Sequence, residues 1–397
     1  MIQKAQIRDE ASIITLALEE LKSILSDSGA LLLIIFAIHI YIVIYSMAYG
    51  ADVVRDVKIC IVDDDHTSLS RTLINRLRSG PNTNVCYEAE SLEMAKELFY
   101  SHKVYGIVYI PQGFERETIG GKQGDISLIL DGGHLLLYRQ VLEQAAADIL
   151  ELGVSIEIER LISHGNSDVE AVVEPIIYDS HTLYNPSLGY GSFVMPTILI
   201  VIIQQTMLIG IAMVRLRRRQ RECHTLSMSI KITISKILVY IALYAVNSTI
   251  ILSTVWPIFG FPYNGATLDV MILLLIYMIA AASLGIVISY LFKRREAPIM
   301  LLLWTSVPVL LLAGVSYPRE AFPEWLYLLG RLLPSSCAVD SFVAIGTMGA
   351  TLSDRLTDIL TLVVLATGYL TIAVIIEYRT HKVKKIINNS ITLKKIY

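Results

Sequence analysis

The densest group of side chains able to do chemistry is Asp63-Asp64-Asp65, which follows the apolar run 57–62 (VKICIV) and precedes Ser68 and Ser70. Three carboxylates after an apolar strand would begin a phosphate-accepting pocket. That chemistry needs a further Asp at the end of the third strand and a later Lys. The third apolar run, 104–110 (VYGIVYI), ends in Pro111 and Gln112 instead. The reading that remains is an acidic turn capping a helix at Ser68 or Ser70. A divalent-ion site on Asp63, Asp64 and Asp65 is the alternative, although contiguous carboxylates seldom converge on one ion.

The other reactive residue types do not assemble. Cys60 and Cys86 fall in two predicted strands, either as buried thiols or as a disulfide in an oxidising compartment. Cys223 and His224 are adjacent, too close to share one ion easily, and none of the eight His residues forms an H-x-x-x-H pair. Gly120-Gly-Lys-Gln lacks the spacing and hydroxyl of a nucleotide-phosphate loop, so the chain has no such route to ATP. No catalytic residue and no metal ligand set follows.

Composition accounts for this. Of 397 residues 54% are hydrophobic and 17% charged, below the quarter typical of soluble domains, and mean hydropathy is +0.57. The net charge of −3 excludes a nucleic-acid-coating role. A bilayer core about 30 Å thick needs roughly 20 apolar residues in a helix. Six stretches qualify: 29–49, 192–214, 237–256, 270–292, 297–317 and 359–376, none containing Asp, Glu, Lys or Arg. Nineteen of the 33 basic residues fall before the first stretch, between the second and third, between the fourth and fifth, or after the sixth. Only Arg319, Arg331 and Arg355 fall in the short segments opposite, so both termini are placed in the cytoplasm.

Before the first span, Ile13, Leu16, Ala17, Leu21, Ile24 and Leu25 recur at the helical period, with Glu19, Glu20 and Lys22 off that face. This predicts an amphipathic helix lying on the cytoplasmic leaflet, or a cytoplasmic extension of the span. Residues 51–188 alternate strand and helix signals. Strands are expected at 57–62, 84–89, 104–110, 126–130 and 172–178. Helices are expected at 69–77, at 91–101 behind a Ser91 cap, and at 134–161 with a break at Gly153. That is a small open sheet covered by helices, outside the membrane.

Set in order, these pieces resemble a family, the permease subunits of bacterial type 2 ABC exporters with a large extracytoplasmic domain after the first span. The resemblance rests on Lys22-Ser-Ile-Leu-Ser-Asp-Ser-Gly-Ala-Leu-Leu entering the first span, Ile61-Val-Asp-Asp-Asp with Ser70-Arg, and Val104-Tyr-Gly-Ile-Val-Tyr-Ile-Pro with Phe114-Glu. It continues through Tyr184-Asn-Pro, Pro196, Gln204-Gln-Thr, Arg221-Glu-Cys-His-Thr, Gly314-Val-Ser-Tyr-Pro, Phe322-Pro-Glu-Trp and Leu333-Pro-Ser-Ser. The implied fold is a polytopic α-helical membrane protein: six transmembrane helices plus a re-entrant hairpin, with an α/β extracytoplasmic domain between helices one and two. The parts are a cytoplasmic elbow helix (1–28), the first transmembrane helix (29–49), the extracytoplasmic α/β domain (50–190), helices two to six (191–378) and a basic cytoplasmic tail (379–397).

The resemblance also implies roles. Residues 9–27 match the family's elbow, with Leu21, Lys22 and Asp27 as its markers. Residues 215–229 match the segment that contacts the ATPase, with Arg217, Arg219, Arg221, Glu222, His224 and Thr225 as candidates; His224 stands where the family usually has Gly. Five Arg in the seven residues 215–221 would equally suit a solvated face or a lipid-headgroup anchor. Residues 318–350, apolar but broken by Pro323, Arg331, Pro334 and Asp340, match the re-entrant segment, with Trp325, Arg331, Pro334 and Asp340 as candidates. The alternative is an amphipathic loop flat on the outer leaflet. Implied partners are a cytoplasmic ABC ATPase, which would hold ATP and Mg while this chain binds no cofactor, a second permease (an identical copy or a paralogue), the lipid bilayer and a periplasmic adaptor. The implied function is export of a hydrophobic or amphiphilic, drug- or lipid-like substrate across the bacterial inner membrane. A membrane-anchored sensor or assembly protein whose outside domain binds a ligand or partner is the alternative.

Overall fold

The structure is a computed structural model describing residues 12–50, 53–163, 183–186, 188–217, 225–315 and 317–394. It divides into two compact units, residues 53–181 and the remainder. The strand expected at 172–178 lies outside the described residues.

In the smaller unit, four strands, β1 (Val57–Asp63), β2 (Thr83–Ala89), β3 (Gly106–Ile110) and β4 (Ser127–Leu130), form one sheet in the order β2-β1-β3-β4. β1 is parallel to β2 and β3, and β4 runs antiparallel at the edge. The buried run Ile59, Cys60, Ile61 and Val62 suits a strand covered on both faces. The connections are α3 (Ser68–Ser79), α4 (Leu92–Tyr100) and α5 (Phe114–Ile119), and α6 (Leu135–Ser163) follows β4. Ser91 caps α4 by accepting from Met94 N, as its sequence position predicts. Cys86 sits at a register shift between β1 and β2, where Ile59 pairs with Val85 and Cys60 with Tyr87. Cys60 is buried, Cys86 is exposed, and both are free, which corrects the pair of buried thiols and removes the disulfide. The break at Gly153 is also corrected. α6 is continuous there, because a helical Gly costs only about 1 kcal/mol and Ile149, Leu152 and Ile156 pack on the sheet core.

The larger unit is helical. α1 (Ile13–Leu25) precedes α2 (Ser28–Ala48). Then come α7 (Tyr190–Arg217), α8 (Leu226–Phe259), α9 (Thr267–Ser289), α10 (Ala297–Leu312), α11 (Glu324–Arg331), α12 (Pro334–Phe342) and α13 (Leu356–Lys394). Among the described residues, α2, α7, α8, α9 and the stretch Leu352–Thr380 are long and apolar enough to cross a membrane. α10 is not. It stops at Leu312, so its 16 residues span about 24 Å rather than the full expected 297–317. Ala313 and Gly314 end it, the latter at φ +84°, where only Gly is at ease.

α7 is the centre of the bundle, with its apolar window almost wholly enclosed by neighbouring helices. Asn247 of α8 donates to the Ile34 carbonyl at 2.8 Å, inside a π-helical turn of α2 at Leu32–Ala37. That explains a buried Asn at this depth, since a π turn displaces the normal backbone pairing. A second π turn, Val343–Thr347, extends α12; the Gly346 carbonyl accepts from the Asn264 and Gly265 amides at 2.9 and 3.1 Å.

α1 corrects a further expectation. Leu16, Glu20 and Ile24 face inward and Leu25 faces out. Leu16 packs with Met228 and Ile232 of α8, so part of the predicted apolar face lies on protein. Glu20 joins that face because the Tyr240 hydroxyl donates to it at 3.4 Å.

Candidate functional site

In the smaller unit, the place where an open α/β sheet takes a ligand is the crevice at the carboxyl ends of β1 and β3, where the strand order reverses. That crevice is filled by the chain itself. Asp65 accepts from the Gly113 and Glu115 amides at 2.6 and 2.9 Å and from the Thr67 hydroxyl at 2.8 Å. Burial alone would raise its pKa, but these donors together hold the carboxyl below its ordinary value. Asp63 accepts from the Asp65 and His66 amides and from the Ser70 hydroxyl, and Asp64 accepts from Tyr109 Oη at 2.8 Å. The three carboxylates point to three different sets of donors. No group of three metal-ligating side chains occurs among the described residues. The cap of α3 is Thr67, in a reciprocal pair with Ser70, rather than Ser68 or Ser70 alone.

The larger unit carries polar clusters at both ends. At the end where α7 and α8 are joined, Asp27 is fully buried at the α1–α2 corner. Its Oδ1 caps α2 by accepting from the Gly29 and Ala30 amides at 3.1 and 3.2 Å. The same oxygen receives Arg295 Nη2. Arg217 Nη1 lies 3.4 Å from Asp27 Oδ2 and donates to the Ser26 carbonyl at 2.6 Å. One carboxylate thus gathers the corner, the last turn of α7 and the turn between α9 and α10. A second group lies nearby in the sequence of spans. Glu377 of α13, 2% exposed, accepts from Lys236 Nζ of α8 at 3.2 and 3.3 Å and from Tyr290 Oη. The Arg215 guanidinium lies over the Tyr290 ring, 4.3 Å from its centroid, and donates to the Ser289 and Phe292 carbonyls.

At the opposite end α11 and α12 form a pair bent by 90°. Arg319, 5% exposed, donates to the Ser336 carbonyl at 2.7 Å and pairs with Asp340. Arg331 donates to Thr361 of α13 at 2.6 Å, and Tyr369 of α13 donates to the Leu332 carbonyl at 2.6 Å. The Ser335 amide donates to Gln204 of α7 at 2.9 Å.

Of the residues singled out from sequence, the structure joins Asp27 with Arg217. Leu21 packs on the bundle core, and Lys22 is exposed away from it. Thr225 caps α8 by accepting from Met228 N. Arg219, Arg221, Glu222 and His224 lie outside the described residues. Trp325 is exposed, Pro334 is the buried first residue of α12, and Arg331 and Asp340 have separate partners. Sequence reasoning gave no individual role to Arg215, Lys236, Tyr290 and Glu377 at one end or to Arg319 at the other.

Most of the chain matches one known family. Residues 29–375 fit the family described as ABC-2 family transporter protein. The chain belongs to the ABC-2 family. It is similar to the inner membrane transport permease YhhJ of Escherichia coli K12, 24% identical over 383 residues that cover 93% of this chain and 97% of that protein. It is also similar to the protein named probable multidrug ABC transporter permease YbhR of the same organism, 25% identical over 333 residues, 81% of this chain and 85% of that one. This is a transmembrane permease of the ABC-2 type, a family that works with an ABC ATPase.

Proposed function

We propose that this ABC-2 chain is the membrane permease of an ATP-driven exporter, that hydrolysis takes place on a separate ATPase, and that its cargo is hydrophobic or amphiphilic. The observation that carries the reading is the convergence on Asp27. The α1–α2 corner, the start of the 215–225 segment and the α9–α10 turn meet at one buried carboxylate. A partner pushing at this end would move all three together. The excess of basic residues here supports a cytoplasmic position for this end by the positive-inside rule, and with it cytoplasmic termini and an extracytoplasmic 53–163 unit. The name of the inner membrane relative supports a bacterial inner membrane, and that of the multidrug relative supports the cargo class. A second permease copy would complete the path, and the outside unit would offer a face to a periplasmic adaptor. The bent α11–α12 pair would wall the outer mouth.

Purification of the tagged chain from its native membrane tests this. An ATPase that co-purifies, with hydrolysis stimulated by lipophilic dyes, is the expected result. Recovery of the chain with no nucleotide-binding protein would favour the sensor reading instead.

A further inference from the structure

A carboxylate and an ammonium buried inside a membrane bundle are costly to desolvate, by several kcal/mol per ion, and such groups persist in membranes where they do work. Lys236 and Glu377 are such a pair, with side chains 14% and 3% exposed. Their neighbours show what the pair holds. Lys236 stands ten residues into α8, on one side of the 218–224 segment. Arg215 stands in the last turn of α7, on the other side. Arg215 reaches Glu377 through Tyr290, whose ring it covers and whose hydroxyl Glu377 accepts. Both helices that flank the segment therefore close on one carboxylate of α13.

α13 runs from there to the bent hairpin. Tyr369, eight residues before Glu377, holds the Leu332 carbonyl, and Thr361, sixteen residues before it, accepts from Arg331. At 1.5 Å per residue these contacts lie about 12 and 24 Å along the same uninterrupted helix. α13 also packs on α12 of the hairpin. We infer that Glu377 is a positioning residue that fastens α13 to the ends of α7, α8 and α9, making α13 a strut that carries displacement of the α7 and α8 ends to the α11–α12 hairpin. A helix resists axial compression because each turn is hydrogen-bonded to the next. The ion pair resists slip because a displaced Lys236 would leave Glu377 charged in a dry site. The inference rests on the proposed transport reading only for the source of the displacement; the mechanical link between the two ends is a property of the chain alone.

The test uses the full chain in lipid nanodiscs, with hydrogen exchange read across the bundle for wild type, Glu377→Gln, the milder Tyr290→Phe, and Tyr240→Phe. The last removes a hydroxyl contact on the same helix, α8, that faces α1 rather than α13. The expected result is exchange in 324–347 about fivefold faster in Glu377→Gln, a smaller rise in Tyr290→Phe, no change there in Tyr240→Phe, and no change in 57–119 in any variant. Faster exchange confined to a turn or two around 236, 290 and 377, or spread evenly over the chain, would overturn the strut. If Glu377→Gln does not fold, Tyr290→Phe decides by the same criterion. A second arm adds the co-purified ATPase with ATP and vanadate. Exchange at 324–347 should respond in wild type and not in Glu377→Gln, and an equal response in both would overturn the inference. Should no ATPase assemble with wild type, the transport reading fails and the first arm alone decides the strut.

Discussion

Arg319, in the turn before α11, reaches Asp340 of α12, and the same terminal nitrogen donates to the Ser336 carbonyl at 2.7 Å. The guanidinium is buried while the Asp340 side chain keeps a third of its surface. Replacing Arg319 with Met strands the Asp340 carboxylate. Breaking a fully buried pair costs roughly 3–5 kcal/mol, and the exposure of Asp340 brings the expectation below that. The melting temperature of the detergent-solubilised chain should fall in Arg319→Met and recover most of the loss in Arg319→Met with Asp340→Leu. Recovery would show that the stranded charge, rather than lost packing, is the damage.

Asp27 combines a helix cap with two arginine contacts. Asn at this position keeps an acceptor for the Gly29 and Ala30 amides but loses the charge, and Ala loses both. A lost cap costs about 1 kcal/mol. Thermal stability should therefore rank wild type, Asp27→Asn, Asp27→Ala. Because Arg217 and Arg295 would also be released, both variants should retain less co-purified ATPase than wild type. Equal retention in all three would separate the corner from partner binding.

The apolar stretches of α2, α7, α8, α9 and α13, the cap at Ser91 and the bend at Pro334 were legible because each is written in local composition. The charged clusters were not, for a reason visible in the span limits. A span defined by freedom from charge ends at the first charged residue it meets. Val214 precedes Arg215, Ile237 follows Lys236 and Ile376 precedes Glu377, so each trimmed end fell one residue short of the group that matters. Helices continue through all three. Glu20 was placed on the wrong face because the apolar pattern of α1 was read for lipid, whereas a tyrosine 220 residues away supplies its partner. Non-local pairing of this kind leaves no periodic trace. In the smaller unit the strands were legible from their apolar runs, while the closing of Asp65 on Gly113 and Glu115 depends on a glycine at φ +92° that only the folded chain explains.

Two glycines should respond to substitution in opposite directions. Gly153 lies inside α6 with nothing within 4 Å of where a Cβ would stand. Gly153→Ala should stabilise the smaller unit by about 0.5–1 kcal/mol through helix propensity. A Cβ on Gly265 would stand 2.3 Å from the Ile345 carbonyl oxygen, which is backbone and cannot rotate away. Gly265→Ala should push the 264–265 turn off the π turn of the hairpin and cost about 1–3 kcal/mol. Thermal melts of the two variants check the signs, and hydrogen exchange at 343–347 should accelerate only in the second.

Asp65 gives the smaller unit an acid-sensitive component. Its folded pKa lies below the ordinary 3.8, so its contribution is present above that value and is lost as pH falls through the folded value. Burial of Cys60 in β1 provides the readout, since its thiol is reached only when the sheet opens. With Cys86, Cys223 and Cys337 replaced by Ser, labelling of Cys60 by a pyridyl disulfide, which stays reactive in acid, should be about fivefold faster in Asp65→Asn than in wild type at pH 7, matching about 1 kcal/mol of charge-assisted hydrogen bonding. The two rates should converge as pH falls below the ordinary carboxylate value of 3.8, as protonation makes the wild-type side chain as neutral as Asn. A ratio that stays constant through that fall would mean that the carboxylate charge contributes nothing to holding α5 against β1.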